Sequence, residues 1–340
     1  MAREFTLYWS SLDKYEKCPQ NFLWSKGWGV IDVGGGPGKK KPKPYEKSMH
    51  HAIMGIVIQA AIERFYNDEL WKLLTKDQLR ERLLDLCEQN LKLELARHYI
   101  DWRQSDTREE MDEIIKAGVM GYMRTLKHQR LLGPYSKAEL DMVAYVNQYT
   151  PIGGRADLIL RRDDGDILPG ITIIDGKNSR RYKDTKSPTG WKTYTDPDQL
   201  RWYALCFYLC YNEMPDHLGF VYYRYPYGAT VLDMDGKPVL DDDGNETKET
   251  GVDWVEYTKE DLKGLGQRAV DARKAMDKEK FDANPNPQGC RFCDFESVCP
   301  ERQAQKDKNR RRPRNTDDML DGVQGFQLLN MGGSTSEEKG

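Results

Sequence analysis

The sequence predicts an α/β fold: helices through the first third, then three strands, a helix and one more strand, with a cysteine-rich loop behind them. Changes of period carry this reading. Apolar residues recur at helical spacing from about 51 to 132, alternate from about 138 to 177, and return to helical spacing over about 198–211 before a β-rich run at 217–225. Strands enclosed by helices make an α/β core rather than a bundle or a sandwich.

Along the chain, Ser10-Ser11-Leu12-Asp13 has the form of a capping box. The short helix it opens must end by Cys18-Pro19, because proline disfavours helix in the residue before it. Residues 27–50, with Gly34-Gly35-Gly36-Pro37-Gly38 and five lysines from Lys39 to Lys47, have no period and read as a flexible basic loop. Helices are expected at about His51–Tyr66, 76–104 and 107–132, and strands at Ala138–Tyr149, Gly153–Arg161 and Ile171–Lys177. Asp163-Asp164-Gly165-Asp166 joins the last two strands as a hairpin turn. A helix from about Asp198 to Tyr211 carries Leu200, Tyr203, Ala204 and Phe207 on its apolar side, and the strand His217–Tyr225 follows. Asp235-Gly236 and Asp243-Gly244 mark a peripheral hairpin within 230–257, before a charged helix from about Thr258 to Lys278. Residues 1–300 are expected to form a single domain, with a helical part at about 51–133 and a core at about 107–225. Beyond it, 301–340 reads as a disordered polar tail with Met319–Leu329 as a short docking segment.

At 340 residues, 38% hydrophobic and 31% charged, the chain can bury a sizeable core. Lys+Arg 52 against Asp+Glu 55 excludes a polycation, so contact with nucleic acid must rest on local positive charge. No apolar run approaches the ~18 residues that span a bilayer, and the N-terminus lacks a secretory signal, so a cytoplasmic protein with no membrane partner is expected. Seven cysteines argue for ligands and buried thiols rather than a disulfide framework.

Cys290, Cys293 and Cys299 follow C-x2-C-x5-C in a tight loop, which can aim several thiolates at one metal centre; such a centre takes four. Cys18, at a helix end, is the natural fourth, whereas Cys87, Cys206 and Cys210 read as small buried hydrophobes. The spacing accepts structural zinc as readily as an iron–sulfur cluster. A second signal lies in Gly154-Arg155-Ala156-Asp157 and Asp175-Gly176-Lys177. Strand residues two apart share a face, so Asp175 and Lys177 project together, beside Asp157 if the two strands pair. Two carboxylates can hold Mg²⁺ or Mn²⁺ with several waters, and an ammonium can orient the attacking water or stabilise charge on a phosphate, as phosphodiester hydrolysis requires. Alone, a D-x-K is more often a strand-end ion pair.

These pieces combine with Ser11-Leu12-Asp13-Lys14-Tyr15-Glu16-Lys17-Cys18-Pro19-Gln20-Asn21-Phe22 (form L-x-x-Y-x-x-C-P-x-x-F from Leu12) and Gln199-Leu200-Arg201-Trp202-Tyr203. Over about residues 7–300 the whole resembles the RecB-like branch of the PD-(D/E)xK nuclease superfamily, and within it the iron–sulfur nucleases typified by the AddB nuclease domain and the CRISPR-associated Cas-four exonucleases. The resemblance implies a restriction-endonuclease-like core and a [4Fe–4S] cluster on Cys18, Cys290, Cys293 and Cys299. It implies Asp157, Asp175 and the Gly176 carbonyl as ligands of Mg²⁺ or Mn²⁺, Lys177 as the group that activates or positions water, and Gln199 and Tyr203 as site-lining residues that contact substrate. The function implied is a metal-dependent exonuclease on single-stranded DNA or DNA ends, in recombination, repair or phage DNA metabolism, in a bacterial or phage-infected cell. No G-x-x-x-x-G-K-[ST] occurs, so ATP-driven unwinding would fall to a helicase or recombinase partner.

One departure stands out. The family usually has a histidine four residues after a glycine on an early helix; here Gly55 is followed by Gln59, whose amide oxygen could serve a hard cation, with Glu63 a turn further on. His50 and His51 are too early in register to substitute. Past Lys177, the residues Arg180, Arg181, Tyr182, Lys183, Trp191 and Lys192 mix basic groups with aromatic faces, a composition suited to phosphates and unpaired bases and equally to a solvated loop. Two other functions fit the residues: a non-catalytic DNA-end-binding relative that keeps fold and cluster, and a zinc-stapled interaction module.

Overall fold

The computed structural model describes residues 5–26, 47–48, 50–100, 107–132, 135–163, 168–179, 181–183, 191–192, 195–286, 290, 293 and 295–311. The basic segment 27–46 and the proposed docking segment Met319–Leu329 lie outside the described residues. The chain divides into two compact units, Met1–Glu16 with Lys41–Phe281, and Lys17–Lys40 with Asp282–Gly340. The two cysteine-bearing segments thus form a unit of their own.

In the first unit, a six-stranded mixed sheet runs in the order β1-β5-β6-β9-β10, with β4 paired to β5. Its strands are β1 (Leu7–Tyr8), β4 (Tyr135–Asn147), β5 (Thr150–Arg162), β6 (Gly170–Lys177), β9 (His217–Tyr222) and β10 (Val252–Val255). The short strands β2 (Lys47–Ser48) and β3 (Tyr99–Ile100) pair with each other, as do β7 (Tyr182–Lys183) and β8 (Trp191–Lys192). Helix α1 (Trp9–Lys17) follows β1 directly, so Ser10 lies inside the helix rather than capping it.

Helices α3 (His50–Asn67), α5 (Lys76–Arg97) and α6 (Arg108–His128) share one apolar core with the sheet, with α4 (Leu70–Leu73) between the first two. The period read from sequence is buried there: Ile53, Val57, Ala61 and Phe65 of α3 join Leu83, Val119 and Tyr122 and, from the strands, Leu158, Leu160, Ile174 and Val221. Capping fixes where these helices begin. Thr75 and Gln78 form a reciprocal capping box on α5, and Thr258 and Asp261 do so on α8 (Lys259–Asp277). Helix α7 (Pro197–Tyr211) buries Leu200, Trp202, Ala204 and Phe207, and the Trp202 indole donates to the Gly153 carbonyl at 2.9 Å.

The second unit holds α2 (Pro19–Lys26) and α9 (Pro300–Arg311). Sequence reading missed both. Pro19 and Pro300 each occupy the first helical position, where a missing N–H costs nothing, so a proline that ends one helix also opens the next. Helix α9 occupies residues expected to be tail, and Glu296 pairs with its Arg302 and Lys306 at 3.1 Å each. No helix among the described residues is long and apolar enough to cross a membrane.

Candidate active site

The site arises where two strands part. The β5–β6 ladder runs from Arg162↔Gly170 to Leu158↔Ile174 and stops, while β1 pairs in parallel with Ile152 and Gly153 further up β5. Between the two ladders, Asp157 Oδ2 accepts the Gly176 N–H at 2.7 Å, a side chain standing where a backbone rung would continue. The paired glycines before it admit the neighbours. A Cβ on Gly153 would come within 2.9 Å of the Tyr8 ring, and one on Gly154 within 3.0 Å of the Tyr203 ring.

Asp196 caps α7 by accepting the Asp198 N–H, with Pro197 at the first helical position. That start aims Gln199 and Tyr203, one turn apart, at β6. Gln199 Nε2 donates to Asp175 Oδ1 at 3.0 Å and lies 2.9 Å from the Tyr203 hydroxyl, while Gln199 Oε1 accepts from Lys177 Nζ at 2.9 Å. Lys177 Nζ is also 2.5 Å from Asp175 Oδ2 and 5.5 Å from the Phe220 ring centroid. Asp157, Asp175, Lys177, Gln199 and Tyr203 are therefore brought together.

A residue overlooked in the sequence joins them. Strand register pairs Ala138 with Leu158 and Leu140 with Ala156, which sets Glu139 across from Asp157. Glu139 takes a left-handed backbone, φ 53°, inside β4, and its carboxylate accepts from Gln59 Nε2 at 2.9 Å. The Gln59 amide oxygen, expected as a metal ligand, accepts the Tyr223 hydroxyl. Strand alternation alone would class Glu139 as a solvent-facing acid, so only its register and backbone reveal it.

These acids are hard to ionise together. Burial, then the Asp175 charge, holds the Asp157 carboxyl well above the usual range, against the Gly176 N–H. Burial also raises Asp175, against the pull of Lys177. Burial raises Glu139, opposed by the Gln59 hydrogen bond and reinforced by Glu63. Burial and the nearby acids raise the phenol of Tyr203 as well.

Of the basic and aromatic residues past Lys177, Arg181 departs from its sequence reading. Arg181 is buried, paired with Glu249 and Asp253, and its guanidinium lies 4.6 Å from the Tyr222 ring centroid. It anchors the chain after β6 instead of meeting a phosphate. Lys183 is half-buried, its N–H donating to the Leu232 carbonyl at 3.0 Å. Arg180 and the side chains of Tyr182, Trp191 and Lys192 lie outside the described residues.

In the second unit, Cys18 sits between α1 and α2 and its sulfur accepts the Asn284 N–H at 3.5 Å. The Cys293 N–H donates to the Cys290 carbonyl at 3.2 Å, closing the tight loop of the first cysteine pair. Cys299 Sγ lies 3.6 Å from Gln20 Oε1 and 3.4 Å from Glu301 Oε2, and burial raises its thiol. Edge-to-face packing of Trp24 on Phe295, centroids 5.4 Å apart, joins the two segments.

Among the described residues, no three His, Cys, Asp or Glu side chains are placed to hold one ion. The acid pair does not need a third, because Mg²⁺ keeps several waters and takes one or two carboxylates. Asp175 Oδ2, buried, has the Lys177 ion pair but no aligned hydrogen bond, and the two mutually repelling carboxyls are hard oxygen donors, so the donor set fits Mg²⁺ or Mn²⁺. The thiols fit a cluster in residue type and in sharing one unit, not in present convergence.

A mixed sheet whose parting strands bring two acids and a lysine together agrees with comparison to known families. The model of the PD-(D/E)XK nuclease superfamily matches residues 8–300, and the chain belongs to that superfamily. Its nucleases typically use divalent metals such as Mg²⁺. Comparison with curated proteins finds no match.

Proposed function

We propose that this chain is a metal-dependent deoxyribonuclease, an exonuclease acting on single-stranded DNA or DNA ends in recombination, repair or phage DNA metabolism. The observation that carries the reading is the Asp157, Asp175 and Lys177 constellation, tied together by Gln199 at the splay of β5 and β6. Asp157, Asp175 and the Gly176 carbonyl would hold Mg²⁺ or Mn²⁺. Bound there, the cation supplies charge stabilisation for the scissile phosphate and a more acidic water.

Lys177 donates its ammonium protons toward the water and the phosphate, and Asp175 and Gln199 keep it from swinging away. Gln199 reads both ends of that pair, accepting from the lysine and donating to the acid, and Tyr203 braces Gln199 from one turn along α7. Lys183, with Arg180, Tyr182, Trp191 and Lys192, supplies charge and stacking faces for the strand, while Arg181 ties their loop down. Cys18, Cys290, Cys293 and Cys299 hold a [4Fe–4S] cluster as a structural staple, with zinc as the other occupant their chemistry accepts.

The test is to incubate anaerobically purified protein with 5′- or 3′-labelled single-stranded and duplex DNA in Mg²⁺, Mn²⁺ or EDTA. Cleavage in metal and none in EDTA is expected, and the label released first gives the polarity. DNA bound but uncut under every condition would overturn catalysis and favour a DNA-end-binding relative.

A further inference from the structure

Tyr223 follows the last residue of β9 and is 2% exposed. Its ring packs edge-on against Tyr122, centroids 5.9 Å apart, which phenylalanine would do equally well. The hydroxyl needs a separate reason, since a buried hydroxyl is unfavourable unless it finds a partner. Its partner is the Gln59 amide oxygen. Gln59 in turn donates to Glu139 at 2.9 Å. An ionised carboxylate only accepts, so the amide nitrogen must face Glu139 and the amide oxygen must face the phenol.

The same hydroxyl touches the site from a second direction. A Cβ built on Gly176 would overlap the Tyr223 hydroxyl and the ring carbon that bears it. Gly176 is the residue between the acid and the lysine, and its N–H goes to Asp157. Its φ is not in the left-handed region, so backbone freedom does not explain a glycine there. The room taken by the phenol does. The contacts therefore close on themselves: Tyr223 to Gln59, Gln59 to Glu139, Glu139 across the ladder from Asp157, Asp157 to Gly176, and Gly176 against Tyr223.

We infer that Tyr223 is a positioning residue of the cation site. It seats the Gly176 peptide and locks Gln59, so that Gln59 orients Glu139 rather than itself reaching the ion. The inference rests on the nuclease reading of Asp157 and Asp175. It assigns roles to Gln59, Glu139 and Gly176 that follow from one phenol, and it makes the Gly176 position dependent on residue 223.

Two coupled substitutions test it, read by calorimetric titration of Mn²⁺ into the DNA-free protein beside the Mg²⁺ dependence of cleavage. Tyr223→Phe is expected to weaken Mn²⁺ binding and raise the Mg²⁺ requirement about three- to tenfold, with cleavage at saturating metal within about twofold of wild type. Gly176→Ala is expected to cost at least about tenfold in Mn²⁺ affinity in the wild type but less than about twofold in Tyr223→Leu, which removes the clashing atoms. Unchanged Mn²⁺ affinity in Tyr223→Phe, or equal cost of Gly176→Ala in both backgrounds, would overturn the inference while wild-type binding and cleavage stand. A wild type that neither binds Mn²⁺ nor cleaves would instead remove the reading on which it rests.

Discussion

Burial holds both Asp157 and Asp175 above the usual carboxylate range, and the Asp175 charge adds to the shift of Asp157 while Lys177 opposes that of Asp175. A carboxyl whose folded value lies above its unfolded one contributes stability that is fully present below the ordinary carboxylate pKa of about 4 and is lost as pH rises through the folded value. The metal-free protein should therefore lose thermal stability as pH climbs from about 4 through the raised values. Asp157→Asn removes that burden, and in EDTA at neutral pH it should unfold at a higher temperature than wild type. The same variant should lose the added stability that Mg²⁺ gives the wild type. Scanning calorimetry with and without Mg²⁺ checks both, and an Asp157→Asn protein less stable than wild type in EDTA would contradict the picture. Asp157, Asp175 and Lys177 are legible in the sequence because a strand period of two sets faces, whereas Gln199 and Tyr203 are legible only through the resemblance of Gln199-Leu200-Arg201-Trp202-Tyr203 to a family motif. Glu139 was not, because a left-handed residue breaks strand alternation and its partner Asp157 depends on a register the sequence does not display.

At the scale of elements, Arg181, four residues past the end of β6, is held by two acidic partners that return from 68 and 72 residues further along. Composition showed a basic loop; it could not show that one of its arginines is spent inside the protein. Arg181→Ala should cost about 3–5 kcal/mol, because Glu249 would remain as a buried, unpaired charge. Replacing the pair together, Arg181→Met with Glu249→Leu, should recover most of that loss. Urea unfolding of the three proteins measures it, and a double variant no better than the single one would argue that the guanidinium acts through Tyr222 or Asp253 instead. Elements with a long period or a cap, such as α3, α7 and α8, lie within a residue or two of their sequence bounds. Strand β1 is too short to show a period, and α2 mixes apolar and polar residues on every side, so neither left a pattern to read.

For the molecule as a whole, the division into two units separates two kinds of chemistry. The acids and lysine belong to the first unit, and the four cysteines of the motif belong to the second. Anaerobically purified protein is expected to be brown, absorbing near ~400 nm, and Cys18→Ser or Cys290→Ser should each lose that band. Zinc in a colourless protein would contradict the iron–sulfur assignment and leave the catalytic one untouched. The spacing of the cysteines and the association of Cys18 with the distant three-cysteine loop are both legible in the sequence, whereas the separation of these segments from the acids as a unit of their own is not.

The division of labour within the acid, acid and lysine site is most directly tested by measuring Mn²⁺ binding and DNA cleavage on the same preparations of wild type, Asp157→Ala and Lys177→Ala. Lys177→Ala is expected to bind Mn²⁺ and to cleave at least about 10²-fold more slowly, and Asp157→Ala to lose both binding and cleavage. Cleavage at the wild-type rate by Lys177→Ala, or Mn²⁺ binding with cleavage by Asp157→Ala, would contradict the assignment of this site.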